Sequence, residues 1–342
     1  MPTADDLRLT VVVPFHDNPG QFELCLAGLK ASTLAHELIC VDDASRDARS
    51  IEAAKRAANR YVRLEHNSGP AAARNEGSKH ASGNVLVFVD SDCVVAPRTL
   101  EQIRDAFAAE PGAAALFGSY DDAPASSGLI TEYRNLLHHW VHHNGPREAS
   151  TFWAGCGAIR KPAFELVAGF DAAYRRPSIE DIELGMRLKA AGQRILLLPH
   201  IQCKHLKRWG LWDMIVVDMT RRAIPWTKLL IERPGVGGDL NLEWKQKLCV
   251  VFVFLALLAA PACALAPPTR ELFAYLWAPL VLLAPVLWIN RALYGLFLDK
   301  KGVLFTLGAI PLHLLYFFYG GLAYAWTRAT HRRTHRPLRA SS

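Results

Sequence analysis

Apolar and polar positions along the first part of the chain follow two different rhythms. Short strand-like runs, "RLTVVVPF", "ELICVDD", "YVRLEH" and "NVLVFVD", are built around Val, Ile and Leu and have the length of strands. Between them lie longer mixed stretches, 21–31, 48–59 and 70–81, with helical character. The alternation predicts βαβ units around a mostly parallel sheet with flanking helices, a Rossmann-like α/β domain. Beyond Lys247 both rhythms stop, and three long segments without Asp, Glu, Lys or Arg follow at 248–269, 272–290 and 302–327. Each is close to the ~20 residues a helix needs to cross a bilayer, so 247–327 is expected to be a transmembrane region of about three helices.

The strand-like runs end in polar residues: His16 and Asp17, Asp42 and Asp43, Asn67, then Asp90 and Asp92. Ligands of such sheets bind beyond the carboxyl ends of the strands, so these ends predict one shared cleft. On a strand, Asp90 and Asp92 fall on the same face, where they repel unless a cation lies between them. Taken alone, a D-x-D triplet reads more simply as a solvated turn. In "NSGPAAARNEG" a flexible Gly69 and a Pro70 suited to the first helical turn open a helix whose N-terminus, with Arg74, suits a diphosphate. Arg74 reads equally as a surface arginine of an amphipathic helix.

Further along, "FWAGCGAIRK" places Gly155 and Gly157 where a backbone approaches a ligand closely. His138, His139, His142 and His143 form i, i+4 pairs without a patterned carboxylate partner, and read as a partly exposed helix face rather than a metal site. In "SIEDIELGMRL" Ile182 and Met186 share a helical face, while Glu180 and Asp181 stand at the start of that helix, where its dipole favours anions.

Charge and cysteines narrow the class. The net charge of +7 is concentrated in the tail, 328–342, which carries five Arg and no acid. Following a membrane segment, such a tail suits anionic headgroups, and no nucleic-acid motif accompanies it. The seven cysteines show no C-x-x-C pair and no zinc spacing, as expected of reduced, buried residues. The first apolar run is short and contains Pro14, unlike a signal peptide, which predicts a cytoplasmic catalytic part of a multi-pass inner-membrane protein. Three full spans would put the basic tail outside, against the positive-inside tendency; a re-entrant segment broken at Pro261 or Pro311 is the other possibility. Between domain and spans, 206–246 interleaves basic residues with Trp209, Trp212 and Trp226, a pattern of amphipathic helices in the membrane interface. That arrangement holds the cleft against the bilayer and points to a lipid or lipid-linked acceptor.

Taken in order, "VVVPFHD", "VDDAS", "NSGPAAARNEG", "VDSD", "GCGAIRK", "GFD", "EDIELGMRL" and His205 resemble the inverting family-2 glycosyltransferases of the GT-A fold, over roughly residues 8–205. The resemblance implies a GT-A domain at 1–205 that transfers a sugar from a UDP- or GDP-sugar with inversion, using Mn²⁺ or Mg²⁺, in cell-envelope glycan synthesis. It implies a donor site of Pro14, Asp42, Asp43, Arg74 and Asp90, with Asp42 and Asp43 at the nucleobase. Asp92, Asp90 and His205 would hold the metal, and Asp181 would be the base that activates the acceptor. Gly155, Glu180, Arg208 and Trp209 would face the acceptor.

Two departures stand out. His16 and Asp17 occupy the place where the family usually has Asn, and "HLKRW" resembles the Q-x-x-R-W signature of processive synthases with His205 in place of Gln. His205 is thus open between metal ligand, acceptor contact and structural residue, and Trp209 between sugar stacking and membrane anchoring. A processive polysaccharide synthase subunit and a catalytically silent glycan-assembly scaffold are the alternatives. The altered signature argues against the first, and intact Asp92 and Asp181 against the second. A nucleotidyltransferase would need a Gly-rich basic loop after the first strand, which is absent here.

Overall fold

The computed structural model describes residues 4–233, 243–264 and 272–331. Most of the basic tail and the end of the first expected membrane segment lie outside the described residues.

The strands are β1 (Leu9–Phe15), β2 (Glu37–Asp42), β3 (Arg60–Arg63), β4 (Val85–Val89), β5 (Cys93–Val95), β6 (Ala113–Tyr120), β7 (Glu148–Ala149), β8 (Cys156–Arg160) and β9 (Arg194–His205). They form one sheet in the order β3-β2-β1-β4-β8-β6-β9-β5, with β7 on β9. Helices α1 (Pro19–Lys30), α2 (Ala48–Ala57) and α3 (Pro70–Lys79) make the crossovers between the first four strands, which are parallel. Past β4 the sheet is mixed, with β8 antiparallel to both neighbours and β6 parallel to β9. The run of apolar residues in β1 follows from burial on both faces: Val11, Val13 and Phe15 enter one core layer, and Val12 enters the other with Ala71 and Ala73 of α3.

The strand-face premise for the two acids does not hold. The chain leaves β4 after Val89 and turns, the Cys93 N–H donating to the Asp90 carbonyl at 2.9 Å. The turn is needed because β5 then pairs antiparallel with the end of β9, Cys93 opposite His205. Asp90 and Asp92 therefore reach the cleft from a turn.

The remaining domain helices are α4 (Thr99–Ala109), α5 (Leu129–Asn144), α6 (Lys161–Leu166) and α7 (Glu180–Ala190). After β9 come α8 (Leu211–Val217), a π-helical segment at Asp218–Ala223 and α9 (Ile224–Glu232), in the place expected for interfacial helices. Trp212 there is 76% exposed, whereas Trp209 is buried between α5 and the last helix and anchors that helix instead of the chain's outer surface.

Helices α10 (Trp244–Ala264), α11 (Leu272–Ile289) and α12 (Arg291–Thr330) follow. Two described helices, at Trp244–Pro261 and Arg291–Thr330, are long and apolar enough to cross a membrane, and Trp277–Ile289 is a shorter apolar helix. This differs from three equal segments. Helix α12 also breaks at Gly302, whose φ of 80° is left-handed, at the start expected for the third segment. Both parts of α12 pack on the α/β domain: Leu293, Phe297, Ala309 and Leu312 join Tyr133 and Leu136 of α5 in one cluster. Lys300 pairs with Asp122 at 2.5 Å and Lys301 with Glu132 at 2.9 Å.

Candidate active site

A cleft of about 920 Å³ opens at the carboxyl ends of the parallel strands, lined among others by Pro14, Asp43, Arg74, Asp90, Asp92, Asp181 and His205. Residues far apart in sequence are thus brought together as the strand ends predict.

On the β1 and β2 side, neighbouring side chains point opposite ways, and only one of the two acids reaches the cleft. Asp43 accepts the Ser68 and Gly69 N–H groups at 2.7 and 2.9 Å, fixing the loop before α3. Gly69 has φ 87°, and a Cβ there would lie 2.5 Å from the Arg175 backbone, so no other residue fits. Asp42, expected at the nucleobase, is fully buried instead. It accepts the Ser45 N–H, the Tyr61 hydroxyl and the Arg63 guanidinium, each at 2.6 Å, and does not line the cleft.

Arg74, on α3, is neither a surface residue nor a free cation. It is 4% exposed and bridges Asp90 at 2.6 Å and Glu180 at 3.0 Å, so it ties the turn after β4 to the start of α7. Burial opposes its charge, but the Asp90 and Glu180 carboxylates outweigh it and raise its pKa. Glu180 lines the cleft, yet its carboxylate is occupied by Arg74 and by the Ser178 N–H at 2.8 Å.

The acids diverge in proton affinity. Burial raises the pKa of Asp90, with Arg74 opposing and Asp92 adding to the rise. For Asp92 burial also acts upward, but the hydrogen bond and charge of His205 prevail and hold its pKa below the ordinary carboxylate value. His205 Nε2 lies 3.5 Å from Asp92 Oδ2, and its ring stacks on Tyr120 with centroids 4.3 Å apart. The Leu206 N–H donates to the Asp92 carbonyl at 2.8 Å, which straps the end of β9 to the acidic turn.

Asp181 begins α7 across the cleft, accepting the Ile182 N–H at 2.8 Å and the Ala154 N–H at 3.2 Å. Burial, with the Glu180 charge added, pushes its pKa up to about 7, against Arg74 and the two N–H donors. A carboxyl group so placed is a proton acceptor near neutral pH.

Among the described residues, no group of three or more His, Cys, Asp or Glu is arranged to enclose a cation unaided. Asp92 and His205 do present an oxygen and an imidazole nitrogen to one place, while Asp90 is partly engaged by Arg74. Such a two-ligand set fits a divalent ion that completes its shell with substrate phosphates and water.

Two expected acceptor residues lie elsewhere. Gly155 does not line the cleft; its missing Cβ makes room for the Trp153 indole, which would be 2.4 Å away. Arg208 is exposed and outside the lining, because the chain after β9 turns Lys207 inward, its ammonium 4.0 Å over the Trp209 ring. Trp209, though mostly buried, does line the cleft.

Other lining residues had no assigned role in the sequence. Trp153 packs edge-on against Tyr120 and lies beside His138. His138 and His142 face inward, so only half of the histidine run is an outer face; burial holds the pKa of His138 well below the ordinary value and that of His142 at about 4. The i, i+4 spacing of that run was the available signal. Arg134, Lys207 and Tyr316 had none, because each is an unremarkable residue of a helix or loop until packing aims it.

A family model described as Glycosyl transferase family 2 matches residues 10–182. Among curated proteins, the uncharacterized glycosyltransferase YibD of Escherichia coli (strain K12) is 38% identical over 101 residues, 28% of this chain and 29% of that protein. The O-antigen biosynthesis protein RfbC of Myxococcus xanthus is 26% identical over 225 residues, 60% of this chain and 18% of that protein. The chain thus spans less than a third of the length of either relative. Among solved structures, a mannosyltransferase from Pyrobaculum calidifontis, in complex with GDP-Man and Mn²⁺, aligns over 95% of this chain and 89% of that one, with a TM-score of 0.50 and 18% identity. At that identity the likeness is one of fold.

Proposed function

This chain belongs to glycosyl transferase family 2, and we propose that it is a membrane-bound inverting glycosyltransferase that transfers a sugar from a nucleotide diphosphate sugar to a lipid or lipid-linked acceptor in cell-envelope glycan synthesis. The observation that carries this reading is the placing of Asp181, with its pKa raised to about 7, in one cleft with Asp43, Asp90, Asp92 and His205. The acceptor hydroxyl oxygen attacks the anomeric carbon from the side opposite the diphosphate, the bond to the leaving oxygen breaks, and Asp181 takes the hydroxyl proton. Asp43 and the loop it fixes border the nucleoside end, and Arg74, which also lines the cleft, keeps Asp90 and Glu180 in place. Asp92 and His205 are the residues that would hold Mn²⁺ or Mg²⁺, which neutralises charge gathering on the leaving diphosphate when bound.

Several further features support the membrane and envelope parts of the proposal. Exposed apolar side chains such as Leu258, Val281 and Leu304, the last 88% exposed, occur on α10, α11 and α12, and one relative is named for O-antigen biosynthesis. In this reading the cleft lies beside the bilayer on its cytoplasmic side; two helices apolar enough to cross a membrane and the exposed Trp212 support the membrane contact. The test uses the full-length protein in detergent, following its melting temperature with UDP- and GDP-sugars, with and without Mn²⁺. One nucleotide sugar is expected to raise the melting temperature in an Mn²⁺-dependent way, and Asp92→Ala to abolish that dependence. A rise equally large without metal, or in the variant, would overturn the metal assignment; no rise with any nucleotide sugar would overturn the transferase reading.

A further inference from the structure

The cleft continues past the acids to a wall made by α5, the segment after His205 and the π-helix, and this wall is cationic. Arg134, Lys207, Arg221 and Arg222 all line it. Asp218 lies behind them, 3% exposed, and its charge is already engaged by Arg134 at 2.5 Å and the Tyr319 hydroxyl at 2.6 Å, with Arg222 at 3.5 Å. Among the described residues neither Lys207 nor Arg221 has an acidic partner within 4.0 Å. Asp218 offsets Arg134 and part of Arg222, and the Asp92 carboxylate acts on Lys207, but four cations against these acids leave the wall with an excess of positive charge, and like charges left in excess repel unless an anion from outside joins them. The backbone supports this reading: π-helical turns are rare and occur mostly at functional sites, and here the turn sends Asp218 inward while Arg221 and Arg222 line the cleft.

The wall adjoins the acceptor side. The Ser178 hydroxyl donates to the Arg221 carbonyl at 2.7 Å, and Ser178 stands just before the helix that begins with Glu180 and Asp181. On the donor side, the buried Arg74 is already committed to Asp90 and Glu180. Resting on the transferase reading, we propose that the acceptor carries a phosphate or phosphodiester group, seated on Arg221, Arg222 and Lys207 beside Asp181. Arginine forks and a lysine ammonium are matched to phosphate oxygens. The phosphate is a handle and is not altered; the nucleophile remains a hydroxyl on the same acceptor. Val217, Trp226 and Tyr316 line the same wall, and the preceding α8 exposes Trp212 and Val216, so a lipid chain on the phosphate has an apolar path outward.

The experiment titrates the full-length protein in neutral detergent with farnesyl phosphate, farnesol and inorganic phosphate, with and without UDP or GDP and Mn²⁺, following tryptophan fluorescence. Farnesyl phosphate is expected to bind at least about tenfold more tightly than farnesol, with an affinity that falls as salt is added. Arg221→Gln with Arg222→Gln is expected to weaken it by about tenfold or more, and the same pair changed to Lys to restore most of the loss. Inorganic phosphate that competes as well as farnesyl phosphate identifies a water-soluble phosphorylated acceptor, and weak competition a lipid phosphate; either supports an anion seat. Equal binding of farnesol and farnesyl phosphate by the unaltered protein, or undiminished binding of farnesyl phosphate by the Gln pair, would overturn the proposal. Nucleotide binding in the same samples reports separately on the transferase reading, whose failure shows there and not in the phosphate titration.

Discussion

Asp181 holds its proton to about 7 because burial and the adjacent Glu180 disfavour its charge. A base must be ionised to act, and the ionised fraction of a group with this pKa grows as pH rises through 7. Turnover is therefore expected to climb from about pH 5, to be near half its limit at about pH 7 and to level off above about pH 8. Asp181→Asn should lower turnover about 10²-fold and flatten that limb, while nucleotide-sugar binding, measured by melting-temperature shift, persists. Turnover near that of the unaltered enzyme would exclude Asp181 as the base. Glu180, its neighbour, shows how differently adjacent acids can be used. Its carboxylate is held by Arg74 and a backbone N–H, which makes it a positioning residue.

At the scale of elements, the joint between the α/β domain and the last helix contains a small buried polar network beside its apolar cluster. Asp218 of the π-helix meets Arg134 of α5 and Tyr319 of α12. Removing the shared acid leaves a largely buried guanidinium without its partner, a change that typically costs about 3–5 kcal/mol. Asp218→Ala is thus expected to lower the melting temperature markedly in detergent, whereas Tyr319→Phe, which deletes one hydrogen bond to a charged group, should cost only about 1.5–3 kcal/mol. Equal and small effects of both changes would show that the network does not hold α12 in place.

For the whole molecule, the last helix is packed into the α/β domain. Its side chains Leu293, Phe297, Ala309 and Leu312 cover Tyr133, Leu136 and Trp209, and Tyr316 lines the cleft. A protein ending at Arg233 keeps the sheet and the acids but uncovers that apolar face of α5. It is expected to have a lower melting temperature than the full chain and to aggregate as it unfolds, with loss of transfer to a membrane-embedded acceptor exceeding any loss of nucleotide-sugar binding. Equal melting temperatures and equal lipid-acceptor activity of the two proteins would show that α10 to α12 only anchor the domain.

The sequence by itself determined the α/β order of the domain, the polar strand ends and the shift to apolar helices past Lys247. Each of these depends on local periodicity, and a strand or helix buried on a known face must carry it. Asp43, Asp90, Asp92 and Asp181 were legible as cleft residues because they follow strand ends or open a helix, where an α/β sheet has its cleft. Only the tertiary structure decided how those acids are employed. Asp42 and Asp43 are alike in sequence, yet one is sealed by Tyr61 and Arg63 and the other reaches the cleft. Arg74 became a bridge once α7 supplied Glu180, and Lys207 rather than Arg208 turned inward because of how the chain leaves β9. The cationic wall was unreadable for the same reason: its residues come from α5, the segment after β9 and a π-helix, and no local pattern in a chain records which distant side chains packing will bring face to face.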